Sequence, residues 1–210
     1  MDKSLLLSLN NFSIRTVNQT LFTIQNMDLH SGEIIGICAP TGSGKSTLFN
    51  CIAGILDKDS FFTDGTIQKN ENTVLSYAFQ EPRLIPSVSV LKNVMLPLEN
   101  LLEKSEAENS AALWLQKFKL EHKKESRSGL LSGGEGQRAG LARAFAYLQA
   151  AMEPQILLLD EPFASQDEEN SLLIVDLIKE YAQTGKGGVL VISHDRQILE
   201  KLCTNIVQII

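Results

Sequence analysis

The feature that most constrains this chain of 210 residues is a glycine-rich turn between two regular segments. Residues 34–38 form an uninterrupted apolar run, which is typical of a buried strand. Residues 48–54 have the apolar spacing of a helix and end in glycine. The turn between them consists of Ala39, Pro40, Thr41, Gly42, Ser43, Gly44, Lys45, Ser46 and Thr47. A strand, a glycine-rich turn and Lys-Ser at a helix start together predict a phosphate-binding loop.

Each part of this loop has a physical reason to hold a nucleotide. Glycines let backbone N–H groups turn toward a phosphate, and the helix N-terminus adds the positive end of its dipole. We expect Lys45 to reach the β- and γ-phosphates and the Ser46 hydroxyl to ligate Mg²⁺. The pattern usually begins with glycine, and Ala39 predicts a slightly adjusted turn because alanine is strained at positive φ. The alternative is a Gly/Ser loop that precedes a lysine by chance.

Composition limits the classes of protein to consider. The chain is 43% hydrophobic and 21% charged, as is ordinary for a globular protein. Its net charge of −6 argues against nucleic acid as a partner, because phosphate neutralisation requires a basic surface. No segment approaches the roughly 18 apolar residues of a membrane-spanning helix.

Hydrophobic patterning predicts a mixed α/β organisation. Antiparallel strands are expected through residue 29, and further strands at 66–68, 74–79, 156–159 and 189–192. The last two are continuous apolar runs, which favour central strands of a parallel sheet. Helices are expected at 89–102, 105–118, 134–150 and 172–181, with Ala111, Leu115 and Phe118 on one face of the second. We therefore expect one domain, in which 1–82 and 151–210 form the nucleotide-binding core and about 83–150 form a helical subdomain.

Two acidic residues, Asp160 and Glu161, follow the apolar run 156–159. A carboxylate at the carboxyl end of a parallel strand faces the crevice where ligands bind. Asp160 is suited to hold the hydration shell of Mg²⁺, and Glu161 to polarise an attacking water. A plain helix cap would explain the pair equally well if it stood alone, but the phosphate-binding loop favours the catalytic interpretation.

A second anion-binding pattern opens the helix predicted at 134–150. Ser132, Gly133 and Gly134 offer a hydroxyl and unpaired backbone N–H groups. A phosphate-binding loop needs no second phosphate cradle in its own chain. We therefore expect this one to serve a nucleotide held by another subunit.

With this motif the chain resembles the ATP-binding subunits of ABC transporters, whose signature is Leu-Ser-Gly-Gly-Gln; Glu135 replaces the final glutamine. The resemblance extends over essentially the whole chain. It implies an α/β fold, with a P-loop NTPase (RecA-like) core, an N-terminal antiparallel β subdomain and an inserted α-helical subdomain. It also implies ATP and Mg²⁺ as cofactors, with Ser46, Gln80 and Asp160 around the metal.

The resemblance assigns roles to three further residues. Gln80 matches the Q-loop glutamine, which approaches the metal and the nucleophilic water. His194 matches the switch histidine, which contacts the γ-phosphate, so Glu161, His194 and Gln80 form the predicted catalytic set. Asp167 matches the last residue of the D-loop, usually Ser-Ala-Leu-Asp, from which Gln166 departs.

One family element has no clear counterpart. The aromatic ring that stacks on adenine would stand near Thr16, which has no π-face. Phe12 and Phe22 are close in sequence, but we expect both in the core.

The resemblance further implies a second ATPase subunit, most simply an identical one, that binds head to tail. It implies transmembrane permease subunits docked near Gln80, an extracytoplasmic substrate-binding protein, and a location at the cytoplasmic face of the inner membrane. Residues 80–86 and 90–94 resemble the importer branch for nitrate, sulfonate and taurine, although Ser87 stands where that branch often has Trp. The alternatives are an exporter or lipoprotein-release ATPase, a soluble cassette acting on DNA or ribosomes, and a degenerate cassette that only binds nucleotide.

Overall fold

The structure is a computed structural model that describes residues 4–38, 43–152 and 154–208. Its strands are β1 (Leu5–Arg15), β2 (Thr20–His30), β3 (Ile34–Cys38), β4 (Phe62–Lys69), β5 (Val74–Ala78), β6 (Gln155–Asp160), β7 (Gly187–Ile192) and β8 (Asn205–Gln208). Its α-helices are α1 (Lys45–Ile52), α2 (Val90–Met95), α3 (Lys104–Lys117), α4 (Gly133–Ala150), α5 (Glu168–Gln183) and α6 (Arg196–Leu202). Short 3₁₀ turns lie at Leu96–Leu98, Glu121–Lys123 and Ser128–Leu130.

The strands form two sheets. Strands β2, β1 and β4 make an antiparallel sheet in that order, and β5, β6, β7, β3 and β8 make a parallel sheet. All six residues of β6 and of β7 are buried, as expected for strands covered on both faces. These pairings place the carboxyl ends of β3, β6 and β7 at one edge, where the predicted site residues begin.

Alternate residues of the parallel sheet belong to two hydrophobic cores. Leu157 and Leu159 of β6 pack with the helices that lie between β5 and β6 in the chain. Ile156 and Leu158 pack on the opposite face, with α1 and the antiparallel sheet. The period of two along a strand therefore divides a continuous apolar run between two layers.

The helices between β5 and β6 are held together by aromatic packing. Trp114, Phe118 and Phe145 have ring centroids between 5.1 and 6.2 Å apart, which joins α3 to α4. Ala111, Leu115 and Phe118 are fully buried, which confirms the face predicted for α3. No helix in the described ranges is long and apolar enough to cross a bilayer.

The predicted fold class is confirmed, whereas one predicted helix is wrong. The segment 89–102 is helical only from Val90 to Met95, after which Leu96–Leu98 forms a 3₁₀ turn. Pro97 lies in that turn; it has no N–H to donate and its ring hinders continuation of the α-helix. Helix α6 and strand β8 were not predicted, because both are short and their apolar residues lack a clear period.

Candidate active site

A cavity of about 570 Å³ lies at the carboxyl ends of the parallel strands. Eight of the residues predicted from the sequence line it: Gly44, Lys45, Ser46, Thr47, Gln80, Asp160, Glu161 and His194. The fold thus brings to one cavity the side chains of Lys45 and His194, which are 149 positions apart in the chain.

The entry to α1 has the backbone that an anion-binding turn requires. Gly44 caps the helix with φ 86°, and a Cβ built there would lie 3.1 Å from Leu21 and 3.2 Å from Phe22. In the part of the chain that the structure describes, no side chain caps this N-terminus, and no acidic residue lies in its first turn. A helix N-terminus of this kind suits an anion, because first-turn N–H groups have no acceptor within the helix itself. The predicted residues Ala39, Pro40, Thr41 and Gly42 lie outside the described residues.

Ser43 supplies an independent sign that a polar ligand belongs here. Its hydroxyl oxygen is buried and has no hydrogen-bond partner among the described residues. A buried hydroxyl without a partner is costly, so such an atom favours a ligand that completes its hydrogen bonding. A phosphate oxygen matches this requirement.

Asp160 has the environment of a cation ligand. It ends β6, is 3% exposed, and accepts a hydrogen bond from the hydroxyl of Tyr77 at 3.3 Å. Burial raises the pKa of its carboxyl group, although hydrogen bonds from Ser46 and Tyr77 oppose the rise. The described residues contain no group of three His, Cys, Asp or Glu side chains arranged to hold a metal ion by themselves. A hydroxyl and one carboxylate fit Mg²⁺, which keeps several waters and takes phosphate oxygens.

Glu161 lies beside Asp160 in a constrained conformation. Its φ is 50°, and its backbone N–H donates to Ile192 at 2.9 Å, which fixes the residue against β7. One carboxylate oxygen lies 2.9 Å from Nδ1 of His194 and accepts the His194 backbone N–H at 3.3 Å. Glu161 is 8% exposed, whereas the His194 side chain is 71% exposed. The carboxylate is thus held at the wall of the cavity by a histidine that reaches solvent.

The segment that contains Gln80 is anchored to α4. Gln80 itself is exposed. Two residues further on, the carbonyl of Pro82 accepts a hydrogen bond from Arg143 at 2.6 Å, and that of Arg83 accepts another at 3.1 Å. Gly140 leaves room for this contact, since a Cβ there would lie 3.0 Å from Pro82.

The second anion-binding pattern forms the start of α4. Ser132 caps the helix: its hydroxyl accepts from the Glu135 N–H at 3.2 Å, and the Glu135 carboxylate accepts the Ser132 N–H at 2.9 Å. Lys123 lies 3.3 Å from the same carboxylate. The Ser132 hydrogen bond, with help from Lys123, holds the pKa of Glu135 below its ordinary value. Glu135 is therefore half of a capping box, a role that its spacing from Ser132 could have revealed.

The predicted signature and D-loop residues lie away from the cavity. Ser132, Gly134, Glu135 and Asp167 line neither it nor the adjoining cavity of about 520 Å³, which Gly133 helps to line. Asp167 caps α5 by accepting the Asn170 N–H at 2.8 Å. These four residues therefore do not line the cavity beside Lys45 in the same chain.

Three functional candidates were missed from the sequence. Tyr77 contacts Asp160, Leu21 lines the cavity, and Gln166 bonds to α4.

Phe12 and Phe22 are each 1% exposed, which confirms their place in the core. The Thr16 hydroxyl accepts two backbone N–H groups of its own turn, at 3.3 and 3.2 Å. Among the described residues, Leu21 therefore gives the cavity an apolar wall, and no aromatic ring does so.

Comparison with known proteins gives the same interpretation of the site. The family model for the ABC transporter matches residues 22–164. An aliphatic sulfonates import ATP-binding protein of Corynebacterium glutamicum is 37% identical over 175 residues, 82% of this chain and 68% of that protein. A tungstate uptake system ATP-binding protein of Peptoclostridium acidaminophilum is 33% identical over 192 residues, covering 90% and 86%. A lipoprotein-releasing system ATP-binding protein of Idiomarina loihiensis is 35% identical over 190 residues, covering 83% and 79%.

A solved structure extends the similarity to a cassette with bound ligand. It is a dimeric ATP-binding cassette in a post-hydrolysis state, bound to ADP and Pi. It has a TM-score of 0.79 and 26% identity, and the match covers 97% of this chain and 94% of that chain. The family model covers well over half of the sequence. The chain therefore belongs to the ABC transporter family, and it is an ATP-binding subunit that hydrolyses ATP.

Proposed function

We propose that this chain powers a solute importer by hydrolysing Mg²⁺-ATP within a head-to-tail dimer. The observation that carries the proposal is the arrangement of Lys45, Asp160 and Glu161 around one cavity that Ser132 and Gly134 do not line. The first three are placed to act on one triphosphate. The other two are placed to contact a second one.

Lys45 binds the β- and γ-phosphates, and the first turn of α1 adds its backbone N–H groups. Ser46 and Asp160 would hold Mg²⁺, with Gln80 close by, and the ion would neutralise charge that develops on the phosphates. Glu161 takes the proton of the attacking water, and His194 orients the Glu161 carboxylate through its 2.9 Å contact. The constrained backbone of Glu161 keeps that carboxylate aimed into the cavity.

The partner that completes each site is a second copy of this chain. The hydroxyl of Ser132 accepts a hydrogen bond from Glu135 and keeps its own proton for donation to a phosphate. The N–H of Gly134 lies in the first turn of α4, where helix donors have no partner within the helix. Asp167 caps α5 and directly follows Gln166, whose side chain donates to the carbonyl of Gly134 in this turn. The related cassette of known structure is likewise dimeric.

Permease subunits dock near Gln80, where an apolar groove lies at the surface. A groove of about 240 Å³ is lined by Pro82, Leu84 and Leu131, among others. Beside it, Ile85 is 47% exposed and Leu130 is 76% exposed. Exposed apolar side chains next to a groove are typical of a surface that receives an apolar helix. We propose that residues 83–150 respond to the permease as a helical subdomain, and that the chain is attached in this way to the cytoplasmic face of the membrane.

Import is favoured over release by the residues of this docking segment. Residues 80–86 and 90–94 carry the resemblance to the nitrate, sulfonate and taurine branch, and a sulfonate import protein is 37% identical. An importer of this type also uses an extracytoplasmic substrate-binding protein. The second candidate is a release system, because a lipoprotein-releasing ATPase is 35% identical.

Light scattering on the Glu161→Gln variant tests the proposed clamp. With Mg²⁺-ATP the variant should be a dimer, and with ADP a monomer, because both triphosphates are needed to join the two subunits. Adding Ser132→Arg should return it to a monomer by blocking the second cradle. A Glu161→Gln protein that stays monomeric at saturating ATP contradicts the clamp. Purification with the membrane subunits, followed by transport into and out of vesicles, decides the direction.

A further inference from the structure

Gln166 departs from the usual D-loop sequence, yet both polar atoms of its side chain make hydrogen bonds. Its carbonyl oxygen accepts a hydrogen bond from Nη1 of Arg138 at 2.8 Å. Its amide nitrogen donates to the carbonyls of Gly134 at 3.1 Å and Ala164 at 3.3 Å. A leucine at this position could make none of these bonds. Gln166 therefore ties its own loop to the first two turns of α4.

The contact around Gln166 is close and leaves little freedom. A Cβ on Gly134 would lie only 2.5 Å from the carbonyl oxygen of Ser165, so the loop rests directly on the helix backbone. Ser165 has a φ of 58°, a strained value for serine. A strained residue persists where its surroundings hold it in place, and here the Gln166 bonds do so.

The same loop carries Glu161. Only four residues separate Glu161 from Gln166, and the N–H of Ala164 donates to the Glu161 carbonyl at 3.1 Å. The Gln166 N–H donates to Phe163 at 3.3 Å, so the loop is a pair of tight turns. Gln137 of α4 also reaches the Glu161 carbonyl, at 3.5 Å. A shift of the α4 N-terminus is therefore transmitted to the backbone of Glu161.

We propose that Gln166 is a positioning residue that couples the Ser132–Gly134 turn to Glu161. The inference rests on the proposed head-to-tail dimer, in which this turn contacts the nucleotide of the partner and Glu161 acts on the nucleotide of its own chain. Binding at one site then sets the geometry of the base at the other. Gln166 thus makes hydrolysis at the two sites cooperative.

The test is the ATP concentration dependence of hydrolysis by the whole chain. Gln166→Leu removes all three side-chain bonds, and Gln166→Glu keeps the acceptor for Arg138 but removes the donor to Gly134. Both should lower the Hill coefficient from its wild-type value to about 1, the value for independent sites. Both should lower kcat about tenfold, which is the effect of one or two lost hydrogen bonds on the active geometry. Gln183→Leu, an exposed change on α5, is the matched control and should behave as wild type.

Two further readouts separate positioning from general damage. Affinity for a fluorescent ATP analogue at the monomer should be unchanged in both variants, because Gln166 lies outside the cavity beside Lys45. Unfolding temperature should fall little in Gln166→Glu, which keeps the side-chain volume, so this variant decides the question if Gln166→Leu folds poorly. A wild-type Hill coefficient in Gln166→Glu, or a wild-type enzyme with no cooperativity, overturns the inference. Failure of the Glu161→Gln protein to dimerise would instead overturn the proposed function.

Discussion

The carboxylate of Glu161 contacts His194 twice, once through the imidazole and once through the backbone. Nδ1 of His194 lies 2.9 Å from the carboxylate oxygen, and the His194 N–H donates to the same oxygen at 3.3 Å. Glu161 ends the β6 region and His194 follows β7, so the pair joins neighbouring strands of the parallel sheet. The base is thus oriented by a residue whose side chain remains open to solvent.

Removal of the His194 imidazole should impair hydrolysis less than removal of the Glu161 carboxylate. In His194→Ala the backbone N–H still holds the carboxylate, so one of the two contacts persists. We expect kcat to fall about 10- to 100-fold, whereas loss of a general base lowers it about 10²- to 10⁴-fold. Steady-state kinetics of the two variants side by side measure the difference. His122→Ala, an exposed change that is not at the cavity, is the control and should leave kcat unchanged.

Two glycines in the first turns of α4 should respond oppositely to alanine. At Gly136 a Cβ would meet Pro82 at 3.5 Å, an ordinary contact, so Gly136→Ala should stabilise the protein by about 0.5–1 kcal/mol through helix propensity. At Gly134 it would lie 2.5 Å from a Ser165 backbone oxygen, so Gly134→Ala should be destabilising. Urea denaturation of both variants gives the comparison. Equal shifts of the two midpoints in the same direction would contradict the packing described for this turn.

Glu135 should make stability depend on pH in a specific direction. The pKa of its carboxyl group is lower in the folded protein than its ordinary value of about 4.3. Its contribution to the free energy of unfolding is therefore present above that value and is lost as the pH falls through the lowered pKa. Glu135→Gln should flatten the loss of stability in that acidic window, because glutamine completes the capping box without a charge. It should be somewhat less stable than wild type at neutral pH and should converge with wild type below the lowered pKa.

The control for this capping role is Glu135→Ala, which removes the acceptor for the Ser132 N–H. It should cost about 1 kcal/mol at neutral pH. If Glu135→Gln loses stability in acid as wild type does, other carboxylates cause the loss of stability in that pH range.

Asn93 should be important for both stability and the docking segment. It is fully buried; its amide nitrogen donates to the carbonyls of Ile85 and Ser89 and to the Ser128 hydroxyl, and its oxygen accepts the Ile85 N–H at 2.7 Å. Asn93→Ala should cost about 2–4 kcal/mol, because it creates a cavity and leaves buried polar groups unpaired.

The exposed change Asn109→Ala on α3 is the control and should be neutral or slightly stabilising. Chemical denaturation measures both variants. An Asn93→Ala protein as stable as the control would mean that this hydrogen-bond cluster does not order the segment after Gln80.

The features of this protein that the sequence predicts well are those formed by a few adjacent residues. The turn before Lys45 and the acids Asp160 and Glu161 are recognisable because each motif needs only a few adjacent residues and a strand or helix beside it. The two-sided burial of β6 follows from its unbroken apolar run. Patterns of this length determine the fold class and most of the cavity wall.

The remaining features depend on contacts between distant segments. Tyr77 and Asp160 are 83 positions apart, and the Arg138–Gln166 bond spans 28, so neither has a local signal. Helix α2 stops early because of Pro97, and Asn93 bonds to Ile85 in the loop before the helix; the apolar spacing alone shows neither feature. The hydrogen bonds of Gln166 to α4 depend on the packing of that helix against the loop after Glu161, which no local sequence pattern predicts.

The most direct test of the central claim is Mg²⁺-dependent ATP hydrolysis by the purified chain, measured beside Glu161→Gln with nucleotide binding followed in the same samples. Wild type should turn over ATP and should stop when the divalent cation is chelated. The Glu161→Gln variant should bind ATP as wild type does and lose about 10²- to 10⁴-fold in kcat. Hydrolysis by Glu161→Gln at the wild-type rate would contradict the assignment of Glu161 as the base that His194 orients.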